Sequence, residues 1–216
     1  MSNEELTAGM NGSTALAVCP RKKNDKAPTI FYEDRLIFKG ETILYSSIDT
    51  LRLSGTHTTT NVVFENFTGS MRLNLKDKRK IKWHVNGWRI FGIGRLVTKK
   101  GYYGAIYNAS IATVAKALSA NYLNQIKNLG GTVTVGGLTV SPTEVSGKNF
   151  GKHTYAIADL DRVEQYQGNV LVFRKDSNRP AFTVSLNTDN AACLLYILST
   201  LISDSKAATA PVADGQ

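Results

Sequence analysis

Apolar and polar residues alternate through most of this chain, a pattern typical of β-strands with one buried face. The clearest case is MRLNLKDKRKIKWHV at positions 71–85, where every second residue is apolar on both sides of Asp77-Lys78-Arg79. This pattern predicts a β-hairpin with a cationic tip. Shorter runs with the same alternation lie before and after it, so most of the chain should be strand.

Two stretches have a different period, with apolar residues three or four positions apart, as on one face of a helix. The first stripe runs from Tyr107 to Ile126 and predicts a helix over residues 105–128. The second predicts a helix over residues 188–203, which is apolar on nearly every side. Such a helix must be covered on more than one side, either between two halves of the protein or in an oligomer interface.

The order of several strands followed by one helix occurs twice along the chain. The two copies align at ILYSSIDTL (Ile43–Leu51) and YAIADLDRV (Tyr155–Val163). In both, an aspartate, Asp49 or Asp161, follows an aliphatic residue at the start of a strand. We therefore expect an internal repeat in which these two aspartates occupy equivalent places.

LIFKGETILYSSIDTLRL and LTVSPTEVSGKNFGKHTYAIADLDRV resemble the bacterial pleckstrin-homology-like (PH-like) domains. The resemblance implies a mostly-β fold with α: two small antiparallel PH-like β-barrels or sheets, each followed by a C-terminal helix. It also implies a scaffold that binds phosphoinositides, peptides or proteins, without catalysis. The expected domains are residues 28–128 and 129–203, between a disordered or loose segment at 1–27 and a disordered tail at 204–216.

The positive charge is concentrated in one segment of the chain. The formal net charge is +9, and residues 71–100 contain ten Lys or Arg and a single acid, whereas the rest is nearly neutral. A local basic patch favours an acidic protein, an anionic lipid surface or nucleic acid as partner. The candidate binding residues are Arg72, Lys76, Lys78, Arg79, Lys80, Lys82, Arg89 and Arg95.

Aromatic residues lie among these cations. Trp88 and Phe91 could insert into an anionic membrane surface or stack on single-stranded nucleic acid. Alternatively, such residues could plug the end of the barrel while the cations only keep the strands soluble. The candidate oligomer contacts lie in the C-terminal apolar helix and are Leu194, Leu195, Leu198 and Leu201.

No arrangement of nucleophile, base or metal ligand is recognisable in the sequence. The three histidines, His57, His84 and His153, are scattered, and the two cysteines belong to no CxxC motif. GIGR, at positions 92–95, lacks the third glycine of a dinucleotide-binding loop. We therefore expect a protein that is not an enzyme and has no metal, cofactor or disulfide framework.

The N-terminus has acids where a signal peptide has cations, and no stretch reaches the about 18 apolar residues of a membrane span. This indicates a cytoplasmic protein that could lie peripherally on a membrane. The leading functional hypothesis is a binding or adaptor module that docks an acidic protein or an anionic membrane. The alternatives are an assembly protein that oligomerises through its C-terminal helix, and a single-stranded nucleic-acid-binding protein.

Overall fold

The structure, a computed structural model, describes residues 14–20, 22–60, 64–91, 93–148 and 152–209. Strands account for 46% and helices for 31%, which confirms the prediction of a mostly-β protein with helices. The chain divides into two compact units, Met1–Leu118 and Ser119–Gln216.

The first sheet of unit 1 contains four short antiparallel strands in sequence order. They are β1 (Ala17–Cys19), β2 (Thr29–Phe31), β3 (Arg35–Phe38) and β4 (Glu41–Leu44). β1 lies within the segment expected to be loose, but it pairs with β2 and buries Cys19. A strand of three residues is too short to show a period, so the alternation did not reveal it. Residues 1–13 lie outside the described residues.

The second sheet of unit 1 follows a 3₁₀ turn at Tyr45–Ser47. Its strands are β5 (Ile48–Thr60), β6 (Phe64–Leu75), β7 (Lys80–Ile90) and β8 (Ile93–Gly94). The predicted hairpin is present, with its turn between β6 and β7, and Lys78 adopts the left-handed conformation there (φ 70°). β6 pairs with both β5 and β7 along nearly its whole length, so that β5, β6 and β7 form one long ribbon.

A long helical segment follows this ribbon: α1 (Leu96–Ser110), a π-helical turn (Ile111–Ala115) and α2 (Lys116–Lys127). It begins nine residues before the expected position 105. Tertiary packing explains the difference, because the ring of Tyr103 in α1 packs against Gly55 and Gly69. A Cβ at Gly69 would lie 2.4 Å from Cδ2 of Tyr103, so only glycine leaves room for the ring.

Unit 2 also begins with a four-stranded antiparallel sheet. Its strands are β9 (Val133–Val135), β10 (Leu138–Val140), β11 (Glu144–Lys148) and β12 (Lys152–Ala156). A 3₁₀ turn at Ile157–Asp159 leads into a three-stranded sheet of β13 (Leu160–Tyr166), β14 (Asn169–Arg174) and β15 (Pro180–Ser185).

The last helix, α3 (Leu194–Thr209), follows a 3₁₀ turn at Ala191–Cys193 and packs on β13. It extends six residues into the segment expected to be a disordered tail, because Lys206 is held by Asp161. The Lys206 ammonium donates to the backbone oxygen of Asp161 at 2.9 Å and to its carboxylate at 3.2 Å. The rest of the expected tail, residues 210–216, lies outside the described residues.

The segment Ala191–Thr209 has the length and mean hydropathy (1.2) of a membrane-spanning helix. However, 44% of its most apolar window is buried inside the structure, and core helices of soluble proteins meet the same criteria. This segment is therefore weak evidence for a membrane span.

None of the sheets closes into a barrel within the described residues, so the expected barrels are pairs of open sheets. Both units have the same element order: a four-stranded meander, a 3₁₀ turn, a second meander and a helix. In both, the strand register shifts directly after the turn, between Ile48 and Thr50 and between Leu160 and Arg162. Asp49 and Asp161 thus each lie at such an irregularity.

Candidate anion-binding surface

The outer face of the β5–β7 ribbon carries four of the residues that the sequence suggested for binding: Arg72, Lys80, Lys82 and Trp88. Along β7 the odd-numbered residues from Ile81 to Gly87 are buried and the even-numbered ones are exposed. The pairing register places even-numbered residues of β5 and β6 beside them. One strand face therefore combines a cationic part, a polar middle and an apolar end.

Three cations lie directly side by side across this face. Arg52 pairs in register with Arg72, and Arg72 pairs with Lys82. We call Arg52, Arg72 and Lys82 the cationic row. Like charges placed directly opposite each other destabilise an antiparallel pair, so the fold itself gains nothing from this arrangement. Local rules are most often broken in this way at functional sites.

The cationic row borders an open concavity of about 330 Å³. Its described lining residues include four cations and no carboxylate: Arg52, Arg72, Asn74, Lys80, Ile81 and Lys82. Among the salt bridges of the described residues, none involves Arg72, Lys80 or Lys82. Three of the four cations, Arg72, Lys80 and Lys82, are therefore not compensated by a salt bridge within the described residues.

Neutral hydrogen-bonding groups flank the cationic row on both sides. Asn74 donates through Nδ2 to Oγ1 of Thr50 at 2.6 Å, which leaves the Thr50 hydroxyl its own proton to donate. On the other side, the hydroxyls of Ser54 and Ser70 lie 2.8 Å apart. His84 pairs in register with Ser70. Its pKa is lowered, first by burial and then by the positive charges of Lys82 and Arg72.

The tip of the hairpin is less available for binding than its sequence indicated. Arg79 donates to Asp77 at 2.6 Å and also to Glu41, and these contacts raise the pKa of the guanidinium. Arg79 is thus neutralised within the protein. Lys76 and Lys78 are exposed beside it.

Arg89 is also engaged inside the protein. Its guanidinium donates to the Glu65 carboxylate, with Nε at 3.0 Å from Oε1, and Nε2 of His57 lies 3.1 Å from Oε2. The Arg89 hydrogen bond is the main reason that the pKa of Glu65 is lowered. Arg89 therefore serves to pair β6 with β7 rather than to present a free charge.

The far end of the same face is apolar and exposed. Phe64 pairs in register with Ile90, and Trp88, one row nearer the centre, is 49% exposed. Phe91, at the turn into β8, is 79% exposed and has a left-handed backbone (φ 48°). We call Phe64, Trp88, Ile90 and Phe91 the apolar end. Left-handed conformations are rare for bulky residues, and here the backbone holds the aromatic ring in solvent.

The start of α1 adds cations beside the apolar end. The backbone N–H of Arg95 donates to the Trp88 oxygen at 3.0 Å, and a Cβ on Gly87 would lie 2.7 Å from Cβ of Lys99. The first turn of α1 therefore lies directly against β7. It carries no acid, although acids are favoured at this end of a helix, and exposes Arg95 and Val97.

The predicted oligomer contacts in α3 are mostly core residues of this chain. Leu194, Leu198 and Leu201 are buried and Leu195 is partly buried. Their burial within the chain accounts for part of the apolar character of the helix.

Unit 2 has a larger concavity of about 470 Å³. Hydroxyls and apolar groups make up most of its described lining, and its cations are Lys148 and Lys152. Residues 149–151, between these two lysines, lie outside the described residues.

Groups of three or more potential metal-ligating side chains do not occur in the part of the chain that the structure describes. Both cysteines, Cys19 and Cys193, are free thiols. Burial raises the pKa of Cys19 to about 11 and that of Cys193 to about 12. Neither thiol has the thiolate character of a nucleophile at neutral pH.

The sequence indicated part of this surface but missed Arg52, Phe64 and Ile90. Arg52 lies in TLRLSG, between Leu51 and Leu53, where alternation alone could have assigned it to a polar face. Only the strand register shows that it stands beside Arg72.

Comparison with protein-family models, with curated proteins and with solved structures found no match. The function must therefore be argued from the site.

Proposed function

We propose that this protein is a non-enzymatic binding module that docks on an anionic membrane surface through the outer face of β5–β7. The observation that carries the proposal is the combination, on one strand face, of the cationic row and the exposed apolar end. Cations attract anionic headgroups, and aromatic and aliphatic side chains insert at the headgroup boundary.

The spacing of the two parts supports contact with an extended surface. Lys82 and Trp88 lie six residues apart on one face of β7, which corresponds to about 20 Å along an extended strand. That distance is larger than a small ligand but suits a membrane. Each cation near an anionic membrane contributes about 1 kcal/mol.

We also propose that the two units are tandem PH-like domains. The support is the element order that both units share, together with the register shift at Asp49 and at Asp161. In this interpretation the open sheet pairs are variants of the PH-like arrangement, and unit 1 carries the docking surface.

Two other partners fit part of the same surface. An acidic protein would use the cationic row, and single-stranded nucleic acid could stack on Trp88. Neither accounts for Phe64, Ile90 and Phe91 together, since these side chains offer neither charge nor a flat array of rings.

The test is co-sedimentation of the full chain with phosphatidylcholine vesicles and with vesicles that contain phosphatidylserine. We expect binding to the anionic vesicles only, and weaker binding at physiological than at low salt, since the Debye length falls from about 30 Å at 0.01 M to about 8 Å at 0.15 M.

Two variants separate the contributions of charge and apolar surface. Lys80→Gln with Lys82→Gln should weaken binding, whereas Lys22→Gln with Lys23→Gln removes the same charge at exposed positions elsewhere and should bind as wild type does. Phe91→Ser should weaken binding and leave its salt dependence unchanged. Equal binding by both lysine pairs would reject the assigned face. Absence of vesicle binding, with capture of an oligonucleotide, would favour the nucleic-acid alternative.

A further inference from the structure

We infer that residues 54–60 of β5 pair antiparallel with the same residues of a second copy of this chain, so that two copies share one continuous sheet. This inference goes beyond the proposed function, because it rests on the edge of the ribbon and not on its outer face.

The second half of β5 is an open edge of the sheet. β5 stands first in the strand order, and among the described residues β6 is the only strand paired with it. Residues 55–59 are all exposed. The outward backbone N–H and C=O groups of such an edge are a template on which another strand can pair.

This edge lacks the features with which proteins prevent such pairing, namely short strands, charged residues, proline and bulges. The other described edge strands have them: β1, β8 and β9 have three residues or fewer, β15 begins with Pro180, and β4, β12 and β13 contain charged residues. β5 has 13 residues. Its first half contains the register shift after Ile48 and the charge of Arg52, whereas residues 54–60, SGTHTTT, contain no Lys, Arg, acid, proline or register shift.

The neutral segment also determines the register. Residues directly opposite each other in an antiparallel pair lie on the same face, so a strand paired with its own copy has one residue on the two-fold axis. For residues 54–60 this residue is His57, and Thr56 lies opposite the partner's Thr58. Arg52 then lies outside the paired residues, so that the two cationic rows do not face each other across the axis.

A second copy fits this edge because each copy supplies both sides of the contact and because of where it places the docking surfaces. The two-fold axis of an antiparallel edge pair is perpendicular to the sheet. The outer faces of both copies therefore lie on the same side and can contact one membrane together. An unrelated extended segment could pair with the same edge, but it would not bring a second cationic row and apolar end.

The contact is small, so the dimer should be reversible. Seven residues of extended strand span about 23 Å. An interface of this length belongs to the weak class that buries less than about 1,200 Å². We therefore expect a dimer that forms as the protein concentration rises.

The first test is sedimentation velocity of the full chain without lipid, from about 5 to about 500 μM, which covers dissociation constants typical of weak complexes. The mass should rise from that of one chain toward that of two. Thr56→Lys with Thr58→Lys would place like charges opposite each other twice, and Thr56→Lys with Thr58→Glu would place opposite charges there. We expect the dissociation constant of the first variant to exceed that of the second by about tenfold or more. Thermal unfolding checks that both are folded.

The second test is oxidative cross-linking at the axis. His57→Cys would place two thiols directly opposite, with Cα atoms about 4.5–5.5 Å apart, within the range of a disulfide. Thr56→Cys is the matched control, because its two thiols lie on a diagonal of about 7–8 Å. The native thiols, Cys19 and Cys193, are buried in the described structure and should not contribute.

The outcomes separate this dimer from membrane docking, because neither test uses lipid. Cross-linking at position 57 in preference to position 56, with the expected order of the two charge variants, would support the dimer even if no vesicle bound. A chain that stays monomeric, or a dimer that both charge variants form equally, would overturn it. Vesicle binding by such a chain would leave the docking face intact.

Discussion

At the scale of single residues, the position of α1 depends on two glycines of the ribbon, Gly55 and Gly69. Gly55 and Gly69 pair across β5 and β6 and receive the Tyr103 ring, which also packs near Phe67 and Trp83. The ring therefore links the helix to the inner face of the ribbon whose outer face carries the cationic row.

Gly69→Ala should destabilise the protein, because the new Cβ would lie 2.4 Å from the Tyr103 ring and force it to move. We expect a loss of about 1–3 kcal/mol in the free energy of unfolding. Gly101→Ala is the matched control: Gly101 lies in α1 with nothing within 4 Å of an added Cβ, so it should gain about 0.5–1 kcal/mol. Urea denaturation measures both, and equal effects would contradict the packing of Tyr103.

The two buried thiols give a second prediction at this scale. Because burial raises the pKa of Cys19 to about 11 and that of Cys193 to about 12, both should react slowly with a thiol reagent at pH 7.5. Both should react fully in denaturant. Rapid labelling of Cys19 in the native protein would show that β1 opens readily.

At the scale of elements, the cationic row lowers the stability of the ribbon but supplies the positive charge for binding an anionic surface. Lys82→Glu would place a carboxylate opposite Arg72 and replace a repulsive pair by an attractive one. We expect a free energy of unfolding higher by about 0.2–1 kcal/mol, measured by urea denaturation, together with weaker binding to anionic vesicles. If stability fell and binding did not, the row would be structural.

The contact between β13 and the end of α3 predicts a pH effect. Arg162 and then Lys206 lower the pKa of Asp161, so its ionised form stabilises the folded state above the unfolded pKa of about 3.9. This contribution is lost as the pH falls through the lower pKa of the folded state. Asp161→Asn should therefore lower the urea midpoint at pH 7 and have little effect near pH 2.

Asp176→Asn is the control for this pH effect. The Asp176 side chain is largely exposed, and its carboxylate lies 4.0 Å from Arg174, so its removal should change little at either pH. An equal loss for both variants at pH 7 would contradict a specific role for Asp161.

At the scale of the whole molecule, the alternating pattern predicted the strand content and the central hairpin, because the hairpin strands each have one buried face. It did not predict β1, which is too short for a period, or the start of α1, which depends on Tyr103. It also could not distinguish the free cations from Arg79 and Arg89, because their carboxylate partners are known only from the folded chain. The position of Arg52 required the strand register for the same reason.

The central claim is that the outer face of β5–β7 contacts a membrane, and tryptophan fluorescence tests it most directly. The chain has two tryptophans: Trp83 is 1% exposed, whereas Trp88 is 49% exposed on the docking face. Insertion would therefore change the emission of Trp88 and leave that of Trp83 almost constant.

The measurement is the emission spectrum of the full chain with and without anionic vesicles, for wild type and for Trp88→Phe. We predict a blue shift with anionic vesicles in the wild type, none with phosphatidylcholine vesicles, and none in Trp88→Phe. Binding of the protein to anionic vesicles without any shift of Trp88 emission would contradict the claim that the outer face of β5–β7 contacts the membrane.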